Sequence, residues 1–228
     1  MPINENDFIE VDYTGRLADG GEVFDTTSAE VARKAGIFED RTAYGPAVIC
    51  VGKRHLIPGL DRQLVGKEVG HAYTFRIAAE EAFGRKNAKL MQLISTSKFR
   101  QKDLVPYPGL QVNIDGVVGT VRTVAGGRTI VDFNHPLSGR EVVYDVIAKR
   151  VIADLKEKVT AMLRLIGISA DVVSASVSGG NASLEFPQEV PAELKKEIEG
   201  KLKSSIHELE AVSFSIKAAK ASEPAAKI

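Results

Sequence analysis

Near the start of the chain, two runs of alternating apolar and polar residues flank Asp19-Gly20-Gly21: Phe8–Tyr13 on one side and Glu22–Asp25 on the other. Asp-Gly between alternating runs is a strong hairpin signal, because the tight turn needs positive φ, which glycine adopts without strain. The hairpin commits this segment to antiparallel sheet. It also brings Tyr13, Phe24 and Asp25 together, one carboxylate among aromatic rings. Taken alone, an acid at a strand end also reads as a turn cap.

The fragments that follow narrow the choice. Val11-Asp12-Tyr13-Thr14-Gly15 and Glu22-Val23-Phe24-Asp25-Thr26-Thr27 are succeeded by Val51-Gly52-Lys53 and Leu56-Ile57-Pro58-Gly59-Leu60. Val65-Gly66-Lys67-Glu68-Val69-Gly70 and Glu81-Ala82-Phe83-Gly84 come next. Each fragment is weak by itself, whereas their order and spacing are specific. The set resembles the FKBP-type peptidyl-prolyl isomerases over residues 1–85, with a return at Leu137–Arg150. The resemblance implies an α+β fold, with an antiparallel sheet wrapped on a short helix.

The coarse pattern agrees with a discontinuous first domain. Ala29–Phe38 has helical spacing weakened by Gly36, Ala47–Val51 reads as a strand, and Pro58 suits the first turn of a short helix over Gly59–Val65. His71–Ala78 alternates as a strand. The chain then turns polar at Arg85–Lys89 and rich in apolar residues and proline up to Pro108. Gln111–Ile114, Val117–Val124 and Arg128–Phe133, joined at Asp115-Gly116 and Gly126-Gly127, read as a β meander. The expected division is an isomerase-like domain from 1–85 and 133–151, a β-rich insert at 86–132, and a third module at 152–228.

In that third module Leu155, Val159, Met162, Leu163 and Ile166 form a helical stripe ending at Gly167. Asp171–Val177 and Ala182–Phe186 flank Gly179-Gly180-Asn181 as a hairpin. Pro191 opens a helix with Leu194, Ile198, Leu202, Ile206 and Leu209 on one face, and Val212, Phe214 and Ile216 alternate as a last strand. Ala218–Ile228 reads as a short, polar, disordered tail. The module is a small α+β unit, open either to self-association or to packing as a monomeric extension.

Lys plus Arg and Asp plus Glu both total 30, so the net charge is zero, which argues against nucleic acid and against a polybasic membrane anchor. The single cysteine, Cys50, excludes an intrachain disulfide and suits a reducing compartment. The first residues have neither the basic nor the apolar region of a signal peptide, and no apolar run approaches the ~20 residues of a membrane helix. A cytoplasmic location is expected. His55, His71, His135 and His207 lack paired ligand spacing, so neither metal nor cofactor is expected.

Rotating an Xaa-Pro bond means breaking amide resonance, a barrier of about 18–20 kcal/mol. No leaving group departs, so no nucleophile is needed. In the twisted transition state the amide is less dipolar, and a dry aromatic pocket favours it over the planar form, which water solvates better. Hydrophobic side chains are themselves the apparatus for this reaction.

The resemblance places that apparatus residue by residue. Tyr13, Phe24 and Tyr144 match the family's aromatic walls. Asp25 matches the acid that hydrogen-bonds near the reacting carbonyl. Leu56 and Ile57 match a pair whose second N–H binds a substrate carbonyl. Leu60 stands where many members have a tryptophan floor, Phe83 where many have tyrosine, and Ala47 where an aromatic is common. Leu137, after His135-Pro136, is expected to cover the pocket. Phe83 lacks the phenolic donor, and the chain has no tryptophan, so the floor is shallower.

The insert resembles the insert-in-flap domain of SlyD-like and archaeal long-type FKBPs, which binds unfolded chains. Leu90, Met91, Leu93, Ile94, Phe99, Leu104, Val105, Tyr107 and Leu110 are many apolar groups for so small a unit, which buries a low fraction of its surface. They are expected to form an exposed polypeptide-binding surface, with the insert's own core as the other destination. The C-terminal module resembles that of the archaeal long type, where it can mediate homodimerisation. The reading is a peptidyl-prolyl cis-trans isomerase that also assists folding of unfolded or nascent polypeptides containing Xaa-Pro bonds. The competing reading is a holdase-type chaperone with a vestigial pocket.

Overall fold

The computed structural model describes residues 1–169 and 172–217. The N-terminal alternation extends further than the sequence suggests, giving β1 at Phe8–Leu17, which turns into β2 at Val23–Thr26. β1 pairs antiparallel with β9, Val142–Val151, and β9 with β4, Ala72–Ile77. On the other side of β1, β2 pairs with its C-terminal half, and β3, Ala47–Cys50, with its N-terminal half. Two strands therefore share one edge end to end.

Two short helices serve this sheet. α1, Ala29–Ala35, is capped by the Ser28 hydroxyl and stopped at Gly36, whose φ of 73° is the left-handed conformation glycine tolerates best. The expected helix to Phe38 is cut short there. α2, Pro58–Leu64, starts with proline in its first turn and buries Leu60 and Leu64 against the sheet. Ile9, Val11, Leu17, Ile49, Phe75, Ile77 and Val146 complete this first core.

Between β4 and β9 lies a separate antiparallel sheet ordered β5-β8-β7-β6: β5 Met91–Ser95, β6 Gln111–Ile114, β7 Val117–Ala125 and β8 Arg128–Asp132. A single helical turn, α3 at Thr96–Arg100, sends Phe99 into a core with Val112, Val121 and Val131. The sequence pattern marked three of these strands and missed β5 and α3.

After β9, α4 at Leu155–Leu165 and α5 at Ala192–Ser205 pack with β10 (Ser174–Ser178), β11 (Asn181–Phe186) and β12 (Ala211–Ile216). β10 and β11 form the hairpin, and α5 is the crossover that lets β12 lie parallel to β11. The expected helix reaching Leu209 ends at Ser205, although Ile206 and Leu209 remain buried. Val159, Met162 and Leu163 share one core with Leu184, Ile198 and Leu202, and this core includes Phe8 and Cys50 from the first sheet and Ile152 just after it. The stripe on α4 is thus covered by the chain itself. Asp171 and the tail Ala218–Ile228 fall outside the described residues. Among those residues no helix is long and apolar enough to cross a membrane.

Candidate active site

The sheet register sets the centre of the site. Gly15 on β1 pairs with Asp25 on β2 and with Tyr144 on β9, and Tyr144 pairs with Phe75 on β4. Asp25, Gly15, Tyr144 and Phe75 therefore lie in one row across four strands. With hydrogen in place of a side chain, Gly15 leaves room for two rings: a Cβ there would stand 2.9 Å from Phe24 and from Tyr144. The aromatic groups close over this gap. Tyr13 and Tyr144 lie 5.9 Å apart between centroids, Phe24 meets Tyr144 edge-on at 5.8 Å, and Phe83 meets Phe24 edge-on at 5.7 Å. Edge contacts between rings are favourable because the positive ring edge meets the negative face.

Tyr13 is held through its backbone. The Thr26 hydroxyl donates to the Tyr13 carbonyl at 3.1 Å, and the Tyr13 N–H donates to the Thr27 hydroxyl oxygen at 3.1 Å. The Tyr13 hydroxyl lies close enough to the Asp25 carboxylate for each to shift the other's protonation. Although Asp25 is exposed along one side, burial raises its pKa, a rise partly offset by that hydroxyl and by the Thr26 N–H. Burial first, and the Asp25 charge second, push both Tyr13 and Tyr144 far above the ordinary phenol range. Both phenols stay protonated as donors.

The loop from β3 to α2 is pinned by two side-chain acceptors. The buried Asp61 carboxylate accepts the N–H groups of Gly52 and Arg54 at 2.9 and 3.0 Å, and His55 Nδ1 accepts the Cys50 N–H at 3.1 Å. Ile57 then enters α2 with its carbonyl bound by the Leu60 and Asp61 N–H groups, while its own N–H takes no partner among the described residues. Leu60 is wholly buried, so it supports the pocket from beneath and presents no open surface. Ala47, Leu56, Ile57, Phe83 and Leu137 are half-buried against the same core. Tyr13, Phe24, Asp25, Ala47, Leu56, Ile57, Leu60, Phe83, Leu137 and Tyr144 are thereby gathered in one region.

Four further residues enter the site without having been singled out. Gly15 gives the rings their space. The His135 ring stacks on Phe83 at 4.8 Å and 3°. Phe38 and Tyr44 stack at 5.1 Å and wall a cleft of about 540 Å³ that opens beside Phe24 and Asp25. Two clefts of about 690 Å³ each border this region. One runs along Asp12, Thr14, Thr74 and Asp145, and the other lies between Val48 and α4. The first is also lined by Tyr13, Tyr44 and Tyr73, and so adjoins the ring cluster from the far side of Tyr13.

A chain of rings ending beside one carboxylate is the kind of dry aromatic surface that suits the twisting of an amide. Comparison with known proteins agrees. Residues 2–99 match the model of the FKBP-type peptidyl-prolyl cis-trans isomerase family. A short-type peptidyl-prolyl cis-trans isomerase of Methanocaldococcus jannaschii is 31% identical over 149 residues, which cover 65% of this chain and 94% of that protein. The chain belongs to the FKBP-type peptidyl-prolyl cis-trans isomerases. An FKBP-type 16 kDa isomerase of Escherichia coli is 30% identical over 63% of this chain and 90% of its own length. SlyD of Vibrio cholerae is 29% identical over 54% of this chain and 63% of its length. Residues 92–137 match a second model, described as the FKBP26 IF domain.

In this FKBP the segment between β4 and β9 exposes Met91 and Leu93 on β5, Leu90 just before it, and Leu104, Val105 and Tyr107 in the loop before β6. Val117 and Val118 join them, a pair the sequence pattern assigned only to a strand. Phe99 is a correction: it is 5% exposed at the heart of the insert's core, packed with Val112, Val121 and Val131. Ile94 and Leu110 are half-buried against it.

Proposed function

We propose that this isomerase acts on Xaa-Pro bonds of unfolded polypeptides through the pocket of Tyr13, Phe24, Asp25, Ile57, Phe83 and Tyr144, and that the 86–132 insert holds those chains. The row Asp25–Gly15–Tyr144 carries the first half of the reading, because it sets the acid beside the rings with the space they need. The proline ring packs against Phe24 and Tyr144 over the support of Leu60. The Ile57 N–H donates to a substrate carbonyl, and the Asp25–Tyr13 pair meets the carbonyl of the rotating amide. As the bond twists, conjugation is lost and the amide's dipole falls, so the dry ring cluster binds the twisted form better than the planar one. Each ~1.4 kcal/mol of that difference is tenfold in rate.

The insert supports the second half. Its apolar side chains exceed what its own core takes in, and exposed apolar patches that include a flexible methionine suit binding of irregular sequences. The test is isomerisation of a short Xaa-Pro peptide by the wild type and by Asp25→Ala. Turnover should fall at least about tenfold with no loss of thermal midpoint, since Asp25 lies at an exposed strand edge. Wild-type turnover in the variant would remove Asp25 from the mechanism.

A further inference from the structure

We propose that His135 is a positioning residue of the isomerase: its ring holds Phe83 in the pocket wall and ties that wall to the base of the insert. This rests on the pocket assigned above. The ring chain described there does not end at Phe83. His135 lies parallel to it at 4.8 Å, so that five rings, His135–Phe83–Phe24–Tyr144–Tyr13, run without a break to Asp25. Phe83 is only half-buried and sits beyond the last strand of its sheet, where no ladder fixes it. The turn around it is closed by the Gly84 N–H donating to the Ala79 carbonyl at 2.7 Å, and the remaining constraints come from the segment returning from the insert. The Ser138 hydroxyl donates to the Phe83 carbonyl at 3.0 Å, the Gly139 N–H donates to the Gly84 carbonyl at 2.8 Å, and His135 covers the ring.

His135 is itself fixed twice. Its Nδ1 accepts the Leu137 N–H at 3.1 Å, which sets the ring plane. One residue earlier, Asn134 ties the two strands entering and leaving the insert: the Asn87 N–H donates to its Oδ1 at 2.7 Å, and its Nδ2 donates to the Asn87 carbonyl at 3.1 Å. The buried Asp132 carboxylate accepts from the Asn134 N–H and side chain and pairs with Arg122 at 3.1 Å. The insert's base and the outer wall of the pocket are one hydrogen-bonded unit with an aromatic contact at its end.

Two substitutions separate the ring from the turn. In His135→Asn the side-chain oxygen can still accept the N–H two residues on, as in an Asx turn, but the ring is gone. In His135→Phe the ring remains and the acceptor is lost. With the full-length protein and a short Xaa-Pro peptide, His135→Asn should lower kcat/KM about three- to tenfold, mostly through KM, the range a ring stack supplies. His135→Phe should stay within about twofold of wild type, and in a Phe83→Leu background His135→Asn should cause no further loss, because the effect passes through Phe83. Wild-type constants for His135→Asn, equal damage from His135→Phe, or an undiminished loss in the Phe83→Leu background would each overturn the role. Asp25→Ala is measured in parallel: if it keeps wild-type turnover the pocket assignment itself has failed, whereas its loss beside an unaffected His135→Asn refutes only the positioning role.

Discussion

Gly15 and Tyr144 face each other across the two central strands, and the absent side chain of one is the space filled by the ring of the other. No positive φ is involved, so this glycine serves room and not backbone freedom. A methyl at 2.9 Å from both Phe24 and Tyr144 would have to push one ring aside. Gly15→Ala should therefore cost about 1–3 kcal/mol of stability, the usual penalty of overpacking. It should cut peptide isomerisation by about tenfold or more, because the wall would be displaced by a sizeable fraction of an ångström. Gly200→Ala is the control. It lies in α5 with open space around it and should gain up to about 1 kcal/mol from helix propensity with activity unchanged. Urea melts and a peptide assay on both variants check this; a fully active Gly15→Ala protein would show that the rings have slack.

Asp25 works against the fold that holds it. Its pKa is raised, so the protonated form is the one the native state prefers. That contribution to stability is fully present below the ordinary value of 3.8 and is lost as pH rises through the raised folded value. At neutral pH the ionised carboxylate is a burden that Asp25→Asn, neutral throughout, does not carry. The variant should melt at a higher temperature than wild type at pH 7 and lose that advantage as pH falls toward 3.8, while its isomerase activity is reduced. Equal melting temperatures at pH 7 would mean that solvent reaches the carboxylate freely.

The ring positions on strands were legible because alternation and short ordered motifs fix which residues share a face. Tyr13 and Phe24 are of this kind, whereas Tyr144 was reached through the family resemblance. Gly15 lies inside the same motif, yet its purpose appears only when β9, over a hundred residues later, is laid beside it. His135 and the Phe38–Tyr44 pair sit in loops, where no period announces a direction. β5 was missed because Met91 and Leu93 point outward, so its sequence lacks the polar alternate positions that mark a half-buried strand. α3 is one turn long, too short for any helical period to register.

The division of labour between pocket and insert is separable by deletion. None of the pocket residues lies between 86 and 132, and the reciprocal Asn87–Asn134 bonds bring the two crossing strands close together. Joining residue 87 to residue 134 through a short glycine-containing linker should keep the peptide reaction within a few fold, provided that His135 and Leu137 are retained. Refolding of a proline-limited protein and suppression of its aggregation should fall by much more, about tenfold or greater, because the exposed apolar surface is removed. Parallel assays on a tetrapeptide and on an unfolded protein decide it. Equal losses on both substrates would place part of the pocket in the insert.

His55 gives the last expected outcome, a pH dependence in the loop before Ile57. Its Nδ1 must be unprotonated to accept the Cys50 N–H at 3.1 Å. Burial lowers its pKa below 6.5; Asp61 opposes that shift and Lys53 adds to it. With the folded value depressed, its contribution to stability is present above 6.5 and is lost as pH falls through the folded value, since the unfolded chain takes up the proton first. Protonation also removes the acceptor from a loop that Asp61 clamps only at Gly52 and Arg54. His55→Asn keeps an acceptor oxygen in nearly the same place and does not titrate. Between pH 7.5 and pH 5 the wild type should therefore lose more thermal stability and more peptide turnover than His55→Asn, and the difference between the two proteins cancels the other titrating groups. The same decline in both would mean that the histidine is not the group being protonated, and that the loop carrying Leu56 and Ile57 is held without it by Asp61 and Lys53.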